Sequence, residues 1–191
     1  LLYRGAAQAN LNLRRRIIDS RTPGYDQIGG VWLPALHILC LPFVGNDWLW
    51  STGLAGSIPA AICFVITIAF VFRAAHEAYD DMMAASITAA CVALNPNLLY
   101  LDSIPMTEPI FLATTSVLLF SLLRFRRTQN RQLIVLGGFA SIVASLTRYD
   151  GWFLIPFAAA GFFWFAKERR FSAAFLFFLL ASLAPLYWFA H

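Results

Sequence analysis

Charge is scarce in this chain. Only 13% of its 191 residues are charged, against 60% hydrophobic and 16% aromatic, and its mean hydropathy is +0.67. So little polar surface cannot coat a soluble globule, and a bilayer is the natural solvent. Cysteine is sparse too: Cys40, Cys63 and Cys91 sit in apolar runs without metal-ligand spacing and read as small buried hydrophobes. No fixed-period repeat or low-complexity tract is present. The opening stretch carries arginines but lacks an apolar core and a small-residue cleavage site, which excludes a signal peptide. Leu1 and His191 read as cut ends, so the chain is expected to be a piece of a longer protein.

What the chain does have is a series of long apolar runs. A spanning helix needs about 20 mainly apolar residues, and six runs approach that: 54–72, 82–101, 109–123, 133–146, 152–166 and 171–190. The fourth and fifth are short and must borrow flanking residues. Asn95 and Pro96 should bend the last turns of the second, because proline removes a backbone donor. Trp152, Trp164, Tyr187 and Trp188 near run ends fit an interfacial aromatic belt. The fold class expected is all-α: a polytopic transmembrane bundle with an amphipathic or re-entrant segment before the first full span.

Basic residues sort the loops onto two sides. Arg73, the group Arg124, Arg126, Arg127 and Arg131, and the group Lys167, Arg169 and Arg170 follow alternate spans, which assigns those loops to the cytoplasm. The opposite loops hold Asp102 and Glu108, then Arg148 and Asp150, then His191. Residues 31–44 carry Pro34 and Pro42 in about 14 apolar positions, too few for a full crossing. If they do not cross, residues 1–53 form an extracytoplasmic first loop ahead of the six-span region 54–191; if they do, Arg14, Arg15 and Arg16 become cytoplasmic. Residues 3–19 read as an amphipathic helix, with Leu2, Ala6, Ala9, Leu13 and Ile17 on one face and Arg4, Gln8, Asn12, Arg15 and Arg16 on another. A turn-rich loop follows over 20–30, with Thr22-Pro23-Gly24, Asp26 and Gly29-Gly30.

Acids collected on the non-cytoplasmic face can take a proton from an acceptor hydroxyl or bind a divalent cation, and an arginine can grip a phosphate through its fork. Glu108, fixed between Pro105 and Pro109, is the most specific of them, although a first-turn glutamate also has a helix-dipole role that needs no catalysis. Asp150, in Thr147-Arg148-Tyr149-Asp150-Gly151-Trp152, belongs to a substrate-binding loop or a structural turn. Arg148 beside it holds a lipid phosphate or anchors to headgroups. Asp102, Asp19 and Asp26 share the same face or cap helices. His37, flanked by Leu36 and Ile38, is a hydrogen-bonded structural residue or a substrate contact. Arg14 to Arg16 read as a topogenic cluster more than as a phosphate site, and Glu77, Asp80 and Asp81 as solvated loop charges.

Taken in order, Asp19-Ser20, Thr22-Pro23-Gly24, Val31-Trp32-Leu33-Pro34-Ala35-Leu36-His37, Asn95-Pro96, Met106-Thr107-Glu108-Pro109 and Thr147-Arg148-Tyr149-Asp150-Gly151-Trp152 resemble the membrane glycosyltransferases of the GT-C class, in particular the family 39-like, protein-mannosyltransferase-like group. The resemblance covers nearly the whole chain. It implies a helix lost upstream of Leu1, residues 31–44 kept outside, and residence in the cell membrane as a multi-pass protein. The reaction implied is transfer of a sugar, mannose-like hexoses included, from a polyprenyl-phosphate donor to a protein, lipid or glycan acceptor at the outer face. The donor and the bilayer are the expected partners, and no nucleic acid is. Glu108, Asp26 and Asp19 are the catalytic candidates, and Arg148, Asp150, Asp102 and His37 the substrate-binding ones. No cofactor is required by the sequence; Mg or Mn is compatible with it, and the ligands of any metal are unassigned. Similar enzymes usually carry an acid early in the first loop, where this chain reads Gly5-Ala6-Ala7. Three alternatives follow: an acid upstream, the role passed to Asp19 or Asp26, or an inactive protein. Outside the resemblance, a secondary transporter and a non-catalytic membrane subunit compete. The first should show a repeat between halves, and the second needs no convergence of Glu108, Asp150 and Arg148.

Overall fold

Residues 2–28 and 32–190 are described by the computed structural model of the chain. Leu1, Gly29, Gly30, Val31 and His191, and the side chains of Leu2, Tyr3, Arg4, Ala6, Ala7 and Gln8, lie outside what it describes. The described residues form an all-α membrane bundle without strands: α1 (Leu2–Ile18), a 3-10 turn (Tyr25–Ile28), α2 (Ala35–Val44), α3 (Asp47–Thr52), α4 (Leu54–Tyr79), α5 (Met82–Ala93), α6 (Pro96–Asp102), α7 (Glu108–Thr128), α8 (Gln132–Ser145), α9 (Asp150–Phe165), α10 (Arg170–Ala181) and α11 (Leu183–Ala190).

By length and composition α4, α7 and the continuous stretch Arg170–Ala190 are long and apolar enough to cross a membrane. The pair α5 and α6 is apolar enough together but bends by 60°. The bend falls where Asn95-Pro96 was expected to force it: Asn95 Oδ1 accepts from the amides of Asn97 (2.9 Å) and Leu98 (3.3 Å), capping a new helix that Pro96 opens. At 14 and 16 residues α8 and α9 are shorter, as is α2 at 10. Side chains that would be anomalous in water cover the outside, among them Phe153, Phe157, Trp164, Phe171 and Phe175. In lipid they need no further partner.

Two cores meet on α7. Leu118 and Phe125 pack with Ile134, Phe162 and Phe177 of α8, α9 and α10, where Phe162 stands edge-on to Phe125 at 5.3 Å. Ile110 and Ala113, a turn or two from its start, pack with Leu11, Leu36, Cys40, Ala55 and Cys63 of α1, α2 and α4. Cys40 and Cys63 are thus the buried hydrophobes expected, whereas Cys91 is exposed.

Two sequence expectations are corrected here. Glu77 is not a solvated loop charge: it is buried in α4 and pairs with Arg124 at 2.7 Å and Arg127 at 3.6 Å, residues that α7 brings alongside. Nor is Arg14 part of an exposed basic cluster. Asn10, Leu11 and Arg14 form the most buried face of α1, while Leu13 and Ile17 are only half-buried. Helical spacing placed the apolar stripe about one position away, because it could not see that a polar partner waits on the bundle side.

The helix ends separate as the charges do. Arg73, Arg124, Arg126, Arg127, Arg131, Lys167, Arg169 and Arg170 gather at one end of the bundle. At the other lie the starts of α7 and α9, the end of α6, and α1 and α2.

Candidate active site

The polar loop between α6 and α7, residues 103–107, is held from three sides. Ser57 Oγ of α4 donates to Ser103 O at 2.7 Å. The fully buried Arg14 donates through Nη2 to Pro105 O at 3.2 Å, and Asn10 Nδ2 reaches the same oxygen at 3.5 Å. Pro105 itself rests on Gly56: a Cβ built there would stand 2.1 Å from Pro105 Cβ and 3.0 Å from its Cα. Only glycine admits that approach.

Glu108 begins α7 immediately after this loop. Its Oε1 accepts from Arg148 Nη1 at 3.1 Å, and the same nitrogen is 3.3 Å from Thr107 Oγ1. Arg148 turns its other edge to Asp150, with Nε and Nη2 each 2.8 Å from Oδ2. Its guanidinium also lies 5.8 Å from the Phe111 ring centre. Arg148 is carried by the tight break between α8 and α9, fixed where Gly151 packs against the backbone of Ala144 and Ser145. Glu108, Arg148 and Asp150 thus converge from positions 40 residues apart in sequence. Beside them opens a pocket of about 410 Å³ lined by Trp32, Leu33, Thr107, Thr147, Arg148, Tyr149 and Asp150. The amide of Ala35 donates to Leu146 O at 3.0 Å, which brings the start of α2, and Trp32 with it, to this mouth.

The two carboxylates differ in setting. Asp150 is 62% exposed, so its pairing with Arg148 is a surface ion pair of small net strength. Glu108 is 29% exposed and anchored to the loop. A ligand phosphate can therefore displace Asp150 from the guanidinium more readily than Glu108. The place between the two acids that a divalent cation would take is filled by Arg148. Among the described residues no group of three His, Cys, Asp or Glu side chains is arranged to hold a metal.

Asp102 and His37 are not among the residues that line this pocket. His37 is buried with Nδ1 unpartnered, and Asp102 is buried with neither oxygen hydrogen-bonded. Burial, together with the Arg14 charge, lowers the His37 imidazole from its usual range to about 4. Burial also lowers Arg14 itself. Asp19 and Asp26 stand apart from Glu108. Asp19 pairs with Arg15 at 3.3 Å in an exposed cluster that includes Asp47, and Asp26 is exposed on the 3-10 turn. What sequence reasoning missed is Asn10, Gly56 and the turning of Arg14 onto the Pro105 carbonyl; the one signal was an i, i+4 pair of polar residues in α1, which does not say which way it faces.

The family model for dolichyl-phosphate-mannose-protein mannosyltransferases matches residues 49–190, nearly three quarters of the chain and all of the Glu108, Arg148 and Asp150 site. The chain belongs to this mannosyltransferase family. It is accordingly a membrane glycosyltransferase of the protein-mannosyltransferase type, as its motif order led one to expect, rather than a transporter. The family match begins at Trp50's neighbour Leu49, so α1 and α2, with Arg14 and His37, lie ahead of it. No curated protein and no solved structure matches the chain.

Proposed function

We propose that the protein transfers a hexose from a polyprenyl-phosphate donor to a hydroxyl acceptor on a protein, lipid or glycan, at the extracytoplasmic face of the cell membrane. In this reading residues 1–53 form an extracytoplasmic first loop and residues 54–191 a multi-pass region of six spans, with the arginine-rich end in the cytoplasm. The observation that carries it is that Arg148, which with Asp150 lines one pocket at the end away from the basic loops, is also paired with Glu108. A subunit with no chemistry of its own has no use for such a convergence.

The acceptor oxygen attacks the anomeric carbon, its proton passes to the Glu108 carboxylate, and the bond from that carbon to the donor phosphate breaks. Arg148 exchanges Asp150 for the departing phosphate and spreads its growing charge over the guanidinium. Trp32, 43% exposed at the pocket mouth, offers an aromatic face to the sugar or the lipid. Glu108 takes the role of base ahead of Asp19 and Asp26 because it is half-buried beside an arginine, while those two face solvent.

Proteoliposomes supplied with radiolabelled polyprenyl-phosphate sugars test the reading. Wild type and Asp80→Asn should transfer label, and Glu108→Gln should lose transfer while remaining folded. Asp80 is a fair control because it sits at the opposite end and asparagine tolerates its left-handed backbone at φ 58°. Failure of every donor in a broad panel would sink the transferase reading; full activity in Glu108→Gln would remove only the site.

A further inference from the structure

The basic residues of the arginine-rich end are not equivalent. Arg124 and Arg127 pair with Glu77 and Asp80. Arg73 and Arg126 lie against the Phe70 and Phe165 rings, at 5.5 and 5.7 Å, and Arg170 Nε donates to Ala166 O at 3.0 Å. That leaves Arg131, Lys167 and Arg169, whose side chains make no ion pair, hydrogen bond or ring contact among the described residues. These three surround one pocket of about 440 Å³, in the size range of small-ligand sites, with Glu168 as its single acid.

The pocket is built rather than incidental. Gln129, at φ 56°, stitches the α7 end to the α9 end: Nε2 donates to Phe165 O at 2.9 Å and Oε1 accepts from the Lys167 amide at 2.9 Å. Arg169, at φ 50°, turns the chain into α10. The loops carrying the three cations are therefore fixed relative to each other. Ser172 adds a hydroxyl from the first turn of α10. The floor is apolar, formed by Phe125, Ile134, Ala173 and Leu176, and it runs onto α7 and α10, which belong to stretches long enough to cross a membrane. Phe171, 81% exposed, continues the apolar surface outward.

We propose that this pocket binds the phosphate headgroup of an anionic phospholipid from the leaflet at the arginine-rich end, with Arg131, Lys167 and Arg169 on the phosphate and the acyl chains along α7 and α10. Charge complementarity calls for an anion. The apolar floor at the membrane boundary selects a lipid over a soluble phosphate, which would leave that floor uncovered. The site is separate from the Arg148 pocket and does not depend on the transfer reaction.

The test is native mass spectrometry of the detergent-purified protein titrated with phosphatidylglycerol, phosphatidylcholine or inorganic phosphate. Wild type should retain phosphatidylglycerol well above phosphatidylcholine, and inorganic phosphate should not compete at millimolar concentration. Each basic residue near a surface contributes on the order of fivefold, so the combined variant Arg131→Gln, Lys167→Gln, Arg169→Gln should lose about 100-fold. Glu168→Gln should tighten binding by about fivefold on the same scale, a gain that misfolding cannot imitate. Arg73→Gln, outside the pocket, should leave it unchanged. Equal retention of the two lipids, loss in Arg73→Gln equal to that in the pocket variant, or no gain in Glu168→Gln would overturn the proposal. Capture of inorganic phosphate in preference to phosphatidylglycerol would overturn the lipid as its source.

Discussion

Replacing Gly56 by alanine adds one carbon where the structure has no room for it. That carbon would stand 2.1 Å from Pro105 Cβ, and an ordinary contact begins at 3.4 Å, so α4 and the 103–107 loop must separate by about 1.3 Å. Pro105 cannot swing aside as a flexible side chain would, since its own Cα is 3.0 Å away and its carbonyl is held by Arg14. The displacement passes down three residues to Glu108 and to its 3.1 Å bond with Arg148. Overpacking of this kind costs about 1–3 kcal/mol of stability. A misplacement near 1 Å at a reacting group costs on the order of 100-fold in rate. The assay is the initial rate of sugar transfer in proteoliposomes, measured well below the melting temperature so that loss of fold does not enter, with Gly45→Ala as the comparison because a Cβ there meets nothing within 4 Å. A Gly56→Ala protein with a lowered Tm and the wild-type rate would show that α4 yields and the loop stays. The claim that Gly56 positions Glu108 would then be wrong.

Arg148→Lys should fall nearly as far as Arg148→Gln in transfer rate, by about 100-fold, because a lysine cannot hold Glu108 and a second acid in one planar fork; a lysine variant within threefold of wild type would show that charge alone suffices. Glu77→Gln leaves Arg124 and Arg127 facing an uncharged buried amide and should cost about 1–3 kcal/mol, discounted because both arginines are more than a third exposed; thermal unfolding in detergent measures it. His37 gives a pH dependence. Its folded value of about 4 lies below the 6.5 of an unfolded imidazole, so the unfolded chain takes up a proton that the folded one refuses. Docking of α2, with the Arg14 charge near the ring, should therefore weaken as pH falls from about 6.5 to 4, by up to about 3 kcal/mol, and change no further below. His37→Asn should flatten that slope in a pH series of melting temperatures.

The break at Asn95-Pro96, the helix start at Glu108, and the segregation of charge to two ends were all legible in the sequence, because each depends on local chemistry: a proline without an amide, a first-turn acid, a run too apolar for water; that α9 already begins at Asp150, two residues ahead of the apolar run, was not. The meeting of Glu108 with Arg148 could be suspected only from their lying in loops of the same side. Burial of Arg14 and Glu77 was not legible at all. Both depend on partners supplied from far along the chain, Pro105 for one and the α7 arginines for the other, and a charged residue on a helix looks the same in sequence whether it faces water or a partner. The Gly56 and Pro105 contact was hidden for the same reason.

At the arginine-rich end α4 turns into α5, α7 into α8 and α9 into α10 through only two to four residues, and each turn contains one of the three non-glycine left-handed residues among those described, Asp80, Gln129 and Arg169. Turns so short leave each helix pair joined like tongs at the rivet. If the arms part, they part at the far tips, where Glu108 and Arg148 sit. With α8 about 21 Å long, a splay of about 5° between α7 and α8 opens their tips by about 2 Å. That is enough to undo a 3.1 Å hydrogen bond and free both the acid and the arginine to meet atoms of a substrate.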